Sequence, residues 1–268
     1  MDVVADSSAA LLRAPRFARV GELVPNDQDL LTVSVGTKVS DALAIMQAHD
    51  YDQLPVVTSR NRVIGVFTYR SLAAGLPHLR NRSPLTSVVE DLLEDFRFYR
   101  ASQELGEALA FVESGNSFLV GDEDQLLAIV TPADVSRFLW RRTQPFVLLQ
   151  DIELGIRDLM RSACTSEILT ELIAASFPAG ADRPNARLED LTMGELLSIL
   201  LNGANFGQYF QLRFGKNRDI VRITFEPVRE IRNKVFHFRD EISSDDMEKL
   251  VGVLGWVRRR VMIRGGTQ

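Results

Sequence analysis

The sequence predicts an α+β domain made of two tandem βαββα units, followed by an all-α helical bundle. The first half contains an internal repeat in which short β-branched runs alternate with helical runs. The second half lacks this alternation, and its apolar residues recur at helical spacing. A length of 268 residues also exceeds what a single small core usually organises. The chain is therefore expected to form two domains.

The repeat becomes visible when the two units are aligned on their last strand. Two strand segments are then related by a constant offset of 63 residues, and a helical segment by an offset of 66. The paired segments are Pro55–Val57 with Phe118–Val120, Val66–Thr68 with Ile129–Thr131, and, at the larger offset, Asp41–Leu43 with Glu107–Leu109. A gap of three residues in the connection from helix to strand explains the difference.

Each unit is predicted to run strand, helix, strand, strand, helix. In the first helix Val39, Leu43 and Met46 share one face, and the runs that follow are short and β-branched. The predicted elements of the first unit are Leu31–Val35, Val39–His49, Leu54–Thr58, Val63–Thr68 and Tyr69–Gly75, and the second unit runs from Arg97 to Trp140. The predicted organisation is an N-terminal extension over 1–19, repeat units over 20–80 and 81–145, and a helical domain over 146–268.

The last strand of each unit runs through a threonine into a helix. The two stretches are Gly65-Val66-Phe67-Thr68-Tyr69-Arg70-Ser71 and Ala128-Ile129-Val130-Thr131-Pro132-Ala133-Asp134. Two such units in tandem resemble a pair of CBS domains, a regulatory module that binds adenine nucleotides, over roughly residues 20–145. In that family a Gly-x-x-Thr-x-x-Asp stretch holds the ribose and phosphates. The resemblance implies nucleotide contacts from Thr131 and Asp134, and an altered site at Thr68, where Ser71 replaces the aspartate.

The same residues also have a purely structural interpretation. Thr131 at the N-cap, Pro132 at the first helical position and Asp134 two residues later form a capping-box-like helix start that needs no ligand. Both interpretations stay open, because the first turn of a helix also offers amide groups and a positive dipole end to a phosphate. The ligand stays open as well: ATP, ADP, AMP and S-adenosylmethionine all fit the resemblance.

The second half is predicted to form four or five helices. Leu148, Ile152, Ile156 and Leu159 recur at helical spacing, as do Leu169, Leu172, Ile173 and Ser176. The segment Pro178–Arg187 is predicted to be a loop. The helices expected after it are Leu188–Leu201, Asn205–Phe214, a helix that starts at Pro227 and runs to about Arg239, and Asp245–Met262 with Ser244 as its cap.

The helix from Pro227 carries the most distinctive polar group of this half. Its core face is predicted to comprise Val228, Ile231, Val235, Phe238 and Ile242. Arg232 borders that face, Asn233 and His237 lie opposite it, and Phe236 is expected to be exposed as part of a partner surface. The segment resembles the Arg-x4-6-His signature of HEPN domains, a helical family with many metal-independent ribonucleases whose active centres commonly form across a dimer.

That resemblance implies a catalytic arrangement with named roles. His237 would act as acid and base because its ordinary pKa is close to neutral, and Arg232 would hold the phosphate through its planar guanidinium. Asn233 would orient the imidazole or the RNA, and two chains would pair their motifs in a homodimer. The alternative is that Arg232 pairs with Glu226 or Glu230 and that His237 is a solvated surface residue. No catalytic metal is expected.

Two functions therefore follow from the sequence. The first is a nucleotide-sensing regulator whose tandem repeat controls a dimeric, RNA-cleaving helical domain. The second is a non-enzymatic, nucleotide-responsive module whose helical half dimerises or recruits another protein. The sequence cannot choose between them, because an intact motif also occurs in members of the resembled family that do not catalyse.

Composition limits other functions. Residues 1–150 carry 14 Lys and Arg against 19 Asp and Glu, whereas residues 151–268 carry 17 of each, so the acidity lies in the first half. Cys164 is the one cysteine, which excludes an internal disulfide. One cysteine and three scattered histidines also cannot supply a four-ligand zinc cluster. Apolar runs are shorter than the roughly 20 residues of a membrane span, and no signal segment opens the chain. A cytoplasmic protein without a membrane partner is expected.

Overall fold

A computed structural model describes residues 18–24, 28–79, 83–122, 124–177, 186–238 and 241–262. The chain forms two compact units, Met1–Leu139 and Trp140–Gln268. The first unit is α+β and the second is helical, as the sequence predicts. No helix among the described residues is long and apolar enough to cross a membrane.

The first repeat forms a three-stranded sheet with two helices. Its elements are β1 Val33–Ser34, α1 Val39–His49, β2 Gln53–Val57, β3 Val63–Thr68 and α2 Tyr69–Gly75. Strand β1 pairs in parallel with β2, and β2 pairs with β3 as an antiparallel hairpin. The helices and β3 have the predicted bounds. The first strand is shorter than expected, and the second begins and ends one residue earlier.

The second repeat has the same topology. Its elements are β4 Phe98–Tyr99, α3 Leu105–Glu113, β5 Phe118–Asp122, β6 Gln125–Val130 and α4 Pro132–Ala163. Strand β4 pairs in parallel with β5, which pairs antiparallel with β6. Short 3-10 turns at Val20–Leu23, Leu76–Leu79, Pro84–Thr86 and Val89–Leu92 connect the parts of this unit.

The register of the two hairpins corrects one part of the predicted alignment. Leu54 lies opposite Phe67 in the first sheet, and Phe118 lies opposite Val130 in the second. Phe67 and Val130 are 63 residues apart, but Leu54 and Phe118 are 64 apart. The pairing of Pro55–Val57 with Phe118–Val120 is thus wrong by one residue. The reason is that the hairpin of the second repeat is one residue shorter than that of the first.

The two sheets share apolar contacts. Val57, Val63, Val66 and Leu119 are buried together, and Phe96, Phe98, Leu126 and Ile129 pack against them. Close approach is also required at Gly65, where an added Cβ would lie 2.7 Å from Cδ1 and 2.9 Å from Cβ of Leu93. Each sheet has a further core of its own beneath its helices. The tandem repeat therefore folds as one body with a joint interior.

Helix α4 continues from the repeat into the second unit and passes through Pro145. The sequence predicts that the second repeat ends at Trp140 and that a separate helical run includes Leu148, but a single helix covers both, so this boundary is wrong. A proline inside a helix removes one backbone hydrogen bond. Burial of Leu149, Ile152, Ile156 and Leu159 in the core beyond the proline offsets that loss.

The remaining helices of the second unit pack around one core. They are α5 Ser166–Ser176, α6 Met193–Leu201, α7 Gly203–Asn205, a π-helical turn Phe206–Phe210, α8 Gln211–Phe214, α9 Arg218–His237 and α10 Ser244–Met262. Arg157 of α4 is buried and donates to the carbonyl oxygens of Leu188 and Leu191, at 3.1 Å each. These bonds attach a 3-10 turn, Leu188–Asp190, to α4.

Three predicted helix starts are wrong because of local capping. The predicted helix Leu188–Leu201 is broken at Thr192, whose hydroxyl accepts from the amide of Glu195 while the Glu195 carboxylate accepts from the amide of Thr192. Asn217 caps α9, which begins at Arg218, nine residues before its predicted start, so Pro227 lies inside the helix. Ser243, rather than Ser244, caps α10. Most of the predicted loop Pro178–Arg187 lies outside the described residues.

Candidate functional site

A cleft of about 890 Å³ lies between the two repeats of the first unit. We call it the inter-repeat cleft. Its walls include the segment 28–31, the start of α2, the segment 94–96, the segment 115–119 and the start of α4. Thr68, Thr131 and Asp134, three of the residues predicted to contact a nucleotide, all line it. The structure thus brings the equivalent helix starts of both repeats to one cavity.

The start of α4 is a closed capping box. The carboxylate Oδ2 of Asp134 accepts from the amide of Thr131 at 2.9 Å and from its hydroxyl at 2.7 Å. The amide of Asp134 donates to Oγ1 of Thr131 at 3.3 Å. The other carboxylate oxygen, Oδ1, pairs with Arg137 at 3.2 Å. The structural interpretation of these residues is therefore correct, and it coexists with their position on the cleft wall.

The start of α2 has the equivalent arrangement with a serine. The amide of Ser71 donates to Oγ1 of Thr68 at 2.8 Å, and the amide of Thr68 donates to Oγ of Ser71 at 2.9 Å. Ser71 is buried and is absent from the described lining of the cleft. It caps the helix start, and its role as a ligand contact stays a prediction.

Two arginines lie on opposite walls. Arg70 at the start of α2 donates from Nε to Glu94 at 2.9 Å and from Nη1 to the side-chain oxygen of Asn116 at 3.2 Å. Arg137 on α4 pairs with Asp134. The Arg70 bonds join the two repeats across the cleft, because Asn116 belongs to the second repeat. The hydrogen bond with Glu94 and the charge of that carboxylate raise the pKa of Arg70 above its ordinary value, and burial slightly opposes this increase.

The segment before β1 closes one side of the inter-repeat cleft. The side chain of Gln28 donates to the carbonyl oxygen of Ile129 at 2.8 Å and accepts from its amide at 3.0 Å. Tyr51 donates through its hydroxyl to the carbonyl oxygen of Asp29 at 2.9 Å. These bonds attach the segment to β6 of the second repeat and to the end of α1. The sequence analysis missed them, since the partners are far apart along the chain.

The second predicted site lies at the end of α9. Asn233 and His237 are exposed, and Arg232 is partly buried. The guanidinium carbon of Arg232 lies 4.8 Å from the ring centroid of Phe236, which itself packs edge-on against Phe146 at 5.5 Å. Among the described residues, Arg232 forms no ion pair with Glu226 or Glu230, the two carboxylates suggested by the sequence. The structure thus keeps the three polar residues together near one helix end.

One residue of the predicted core face of α9 is misplaced. Val228, Ile231 and Val235 are buried and Ile242 packs against the core, but Phe238 is 84% exposed. The chain leaves the helix at Phe238, whose φ of 50° is left-handed. The helical periodicity therefore stops one residue before it. Phe236 and Phe238 are both exposed beside His237. The exposure of Phe236 was expected, but that of Phe238 was not.

Two further features of the second unit bear on chemistry. A cleft of about 470 Å³ is lined by α5, Cys164 and the turn at Leu188, and burial raises the pKa of the Cys164 thiol. Within the described parts of the chain, no group of three or more His, Cys, Asp or Glu side chains is arranged to hold a metal ion.

The family comparison concerns the first repeat. Residues 20–78 match the model of the CBS domain. Cystathionine beta-synthase of Dictyostelium discoideum is 28% identical over 123 residues, covering 42% of this chain and 24% of that protein. Inosine-5'-monophosphate dehydrogenase of Methanocaldococcus jannaschii is 28% identical over 122 residues, covering 44% and 23%. The chain thus spans about a quarter of the length of either enzyme.

An uncharacterized protein of Methanocaldococcus jannaschii is 24% identical over 254 residues, covering 87% of this chain and 86% of that one. Solved structures that resemble the chain include CBSX2 in complex with AMP, with 27% identity, a TM-score of 0.39, and coverage of 45% of this chain and 94% of that one. A putative signal-transduction protein with CBS domains from Burkholderia ambifaria has 22% identity, a TM-score of 0.40, and coverage of 46% and 93%. The N-terminal part of this chain contains a CBS domain, and a helical region follows it.

Proposed function

We propose that the chain is a regulatory protein whose inter-repeat cleft binds an adenosine-containing ligand. The observation that carries this proposal is the convergence of Thr68, Thr131 and Asp134 on one cleft. Its volume of about 890 Å³ falls within the range of roughly 300–1,000 Å³ that is usual for small-molecule sites. ATP, ADP, AMP and S-adenosylmethionine are the candidate ligands.

The two sides of the cleft play unequal roles in this proposal. Asp134 presents a carboxylate, which can accept hydrogen bonds from both ribose hydroxyls. Its side chain keeps 12% exposure. Among the described residues, Oδ1 is held by Arg137 alone, whose own side chain is 63% exposed. The ribose would displace or share that bond. Thr68 supplies a hydroxyl on the other wall, where Ser71 is committed to its cap.

Isothermal titration calorimetry of the full chain tests ligand binding. We expect heat of binding with at least one of the four candidate ligands and none with the guanosine counterparts. Asp134→Asn keeps the shape of the side chain but removes the charge, and it is expected to weaken binding about tenfold, the loss of roughly one charged hydrogen bond. Equal binding of adenosine and guanosine ligands, or no binding of any, contradicts the proposal.

The regulatory part of the proposal concerns the helical half. A ligand changes the state of a protein only if it binds two arrangements with different affinities. The proposed output is a change in self-association to a homodimer or in partner binding by the helical half. Sedimentation velocity with and without ligand tests this. An unchanged association state and unchanged partner binding in a ligand-saturated sample contradict regulation but leave the cleft assignment intact.

A second proposed function is RNA cleavage by the helical half. The exposed pair of Asn233 and His237 favours it, together with Arg232, which directly precedes Asn233 and lies over the ring of Phe236. In the proposal two copies of the chain supply paired histidines, and Arg232 must turn from the ring of Phe236 to reach a phosphate. The competing role is a protein-binding surface, favoured by the exposed Phe236 and Phe238.

The His237→Ala variant decides between these two roles. If the site cleaves, the variant loses RNA cleavage that the parent shows in the same preparation, while its dimerisation is unchanged. Because trace nucleases contaminate such assays, the variant must be purified in parallel with the parent. Equal cleavage by both proteins rejects the nuclease and leaves the protein-binding surface.

A further inference from the structure

The inter-repeat cleft is lined by more acidic than basic side chains. Six acidic residues line it, against two arginines. The acids are Asp29, Asp50, Asp52, Glu94, Asp95 and Asp134, and the bases are Arg70 and Arg137. The lining therefore carries a formal charge of −4 when all of these groups are ionised. Charge of one sign within a cleft concentrates the electric field there.

Both arginines are already neutralised by acids of the same lining. Arg70 pairs with Glu94 at 2.9 Å, and Arg137 pairs with Asp134 at 3.2 Å. Four carboxylates remain, those of Asp29, Asp50, Asp52 and Asp95, and no ion pair joins any of them to another described residue. The excess negative charge thus comes from groups that no neighbouring cation balances in the described part of the chain.

The four unbalanced carboxylates are distributed over separate segments. Asp50 and Asp52 flank Tyr51 at the end of α1, and the Tyr51 hydroxyl fixes the segment at Asp29. Asp95 follows Glu94, whose backbone pairs with Val66 of β3. The described carboxylates do not converge in threes as metal ligands. Their common effect is a negative field over the cleft rather than a point site.

We propose that the inter-repeat cleft selects an adenosine-containing ligand whose second group is cationic or neutral, and that it discriminates against nucleoside polyphosphates. Of the candidates, S-adenosylmethionine has this chemistry. Its adenosyl group is joined to a positive sulfonium, and the charges of its ammonium and carboxylate groups cancel, so the molecule is a net cation. A triphosphate would bring about four negative charges into a lining of the same sign. This inference deepens the proposed function and rests on it.

A charge series of ligands tests the inference by calorimetry on the full chain. The series is S-adenosylmethionine, S-adenosylhomocysteine, adenosine, AMP and ATP, with ATP measured both with and without Mg²⁺. S-adenosylhomocysteine is the key member, because it differs from S-adenosylmethionine by the sulfonium methyl and its charge. We expect S-adenosylmethionine to bind at least about tenfold more tightly than ATP at low salt.

Salt supplies an independent readout of the same field. Raising the ionic strength screens exposed charges beyond about 8 Å. Affinity for S-adenosylmethionine should therefore fall with added salt, whereas affinity for ATP should rise. The neutral adenosine should change little. If affinity for S-adenosylmethionine rises with salt and affinity for ATP falls, the proposed negative sign of the field is contradicted.

A pair of variants ties the effect to the lining. Asp52→Asn combined with Asp95→Asn removes two negative charges from the cleft. The double variant should reduce the ratio of the affinities for S-adenosylmethionine and ATP at least about threefold. Glu107→Gln removes one charge from an exposed position of α3 outside the described lining, and it should leave both affinities within about twofold. An unchanged gap in the double variant overturns the proposal.

The outcomes separate this inference from the proposed function. ATP binding as tightly as S-adenosylmethionine, with or without Mg²⁺, overturns the charge selection and leaves adenosine binding in place. Binding of none of the five ligands overturns both.

Discussion

Asp134 and Ser71 occupy equivalent capping positions in the two repeats, but only Asp134 lines the inter-repeat cleft. This contrast separates a role in folding from a role in binding. Removing each side chain by Asp134→Ala and Ser71→Ala should destabilise the first unit in both cases. Asp134→Ala alone should also weaken binding of the ligand.

The expected stability losses follow from the hydrogen bonds. Asp134→Ala removes the acceptor of the Thr131 amide and an acidic group from the first turn of α4, which together contribute about 1–2 kcal/mol. Its pair with the well-exposed Arg137 adds little. Ser71→Ala leaves the buried amide of Thr68 without its side-chain acceptor, which costs about 1–3 kcal/mol. The two variants should therefore unfold at similarly reduced urea concentrations.

The binding effects should differ. The Asp134 carboxylate is the proposed acceptor of the ribose hydroxyls, so Asp134→Ala should weaken ligand binding by at least about tenfold. Ser71→Ala should leave affinity within about twofold under conditions where the variant is folded. Urea unfolding and calorimetry on the same preparations provide both numbers. Equal affinity losses in the two variants would refute the assignment of Asp134 to the ligand and leave it a cap alone.

Three further predictions concern the fold and its pH dependence. Gly65→Ala should destabilise the first unit by about 1–3 kcal/mol through overpacking against the adjacent leucine, and unchanged urea unfolding would contradict that contact. Ser243→Ala should cost about 1 kcal/mol as the cap of α10, whereas Ser244→Ala should cost almost nothing; a larger loss from Ser244 would reverse the cap assignment. Burial opposes ionisation of Asp246, but hydrogen bonds from Lys234 and Ser243 outweigh it and lower its pKa. Its contribution to stability is therefore complete above its unfolded pKa of about 3.9 and is lost as pH falls through the lower folded pKa, so acid unfolding of Asp246→Asn should lack this component.

The elements of the repeat could be predicted because patterns of a few neighbouring residues determine them. Helix α1, strand β3 and helix α2 have the predicted bounds, since hydrophobic periodicity and the threonine at position 68 mark them within a few residues. The one-residue error in aligning β2 with β5 arose in the hairpin turn. Residue spacing alone does not show which of two neighbouring residues faces a partner strand.

The errors in the helical half have two physical sources. The sequence predicts helix boundaries at Pro145 and Pro227, but core burial on both sides of each proline outweighs the lost backbone bond. The periodic pattern of Leu188–Leu201 runs across the cap at Thr192, whereas the helix start predicted at Pro227 conceals the earlier cap at Asn217. The Thr-x-x-Glu spacing at Thr192 is a local signal that would have placed that helix correctly.

The candidate site was predictable in part for the same reasons. Thr131 and Asp134 follow from a motif, and so does their capping geometry. The bonds from Gln28 to Ile129 and from Arg70 to Asn116 join residues 101 and 46 positions apart. No local pattern specifies such pairs, because they depend on how the two repeats pack. The net charge of the cleft could be counted only from the structure, because its acidic and basic residues come from separate segments of the chain.

Hydrogen–deuterium exchange of the full chain, with and without saturating S-adenosylmethionine, shows where the ligand binds. We expect slower exchange in the cleft walls, at residues 28–31, 66–70 and 129–134. Calorimetric binding accompanied by no protection in these segments, or by protection confined to residues 140–262, would contradict the assignment of the ligand to the inter-repeat cleft.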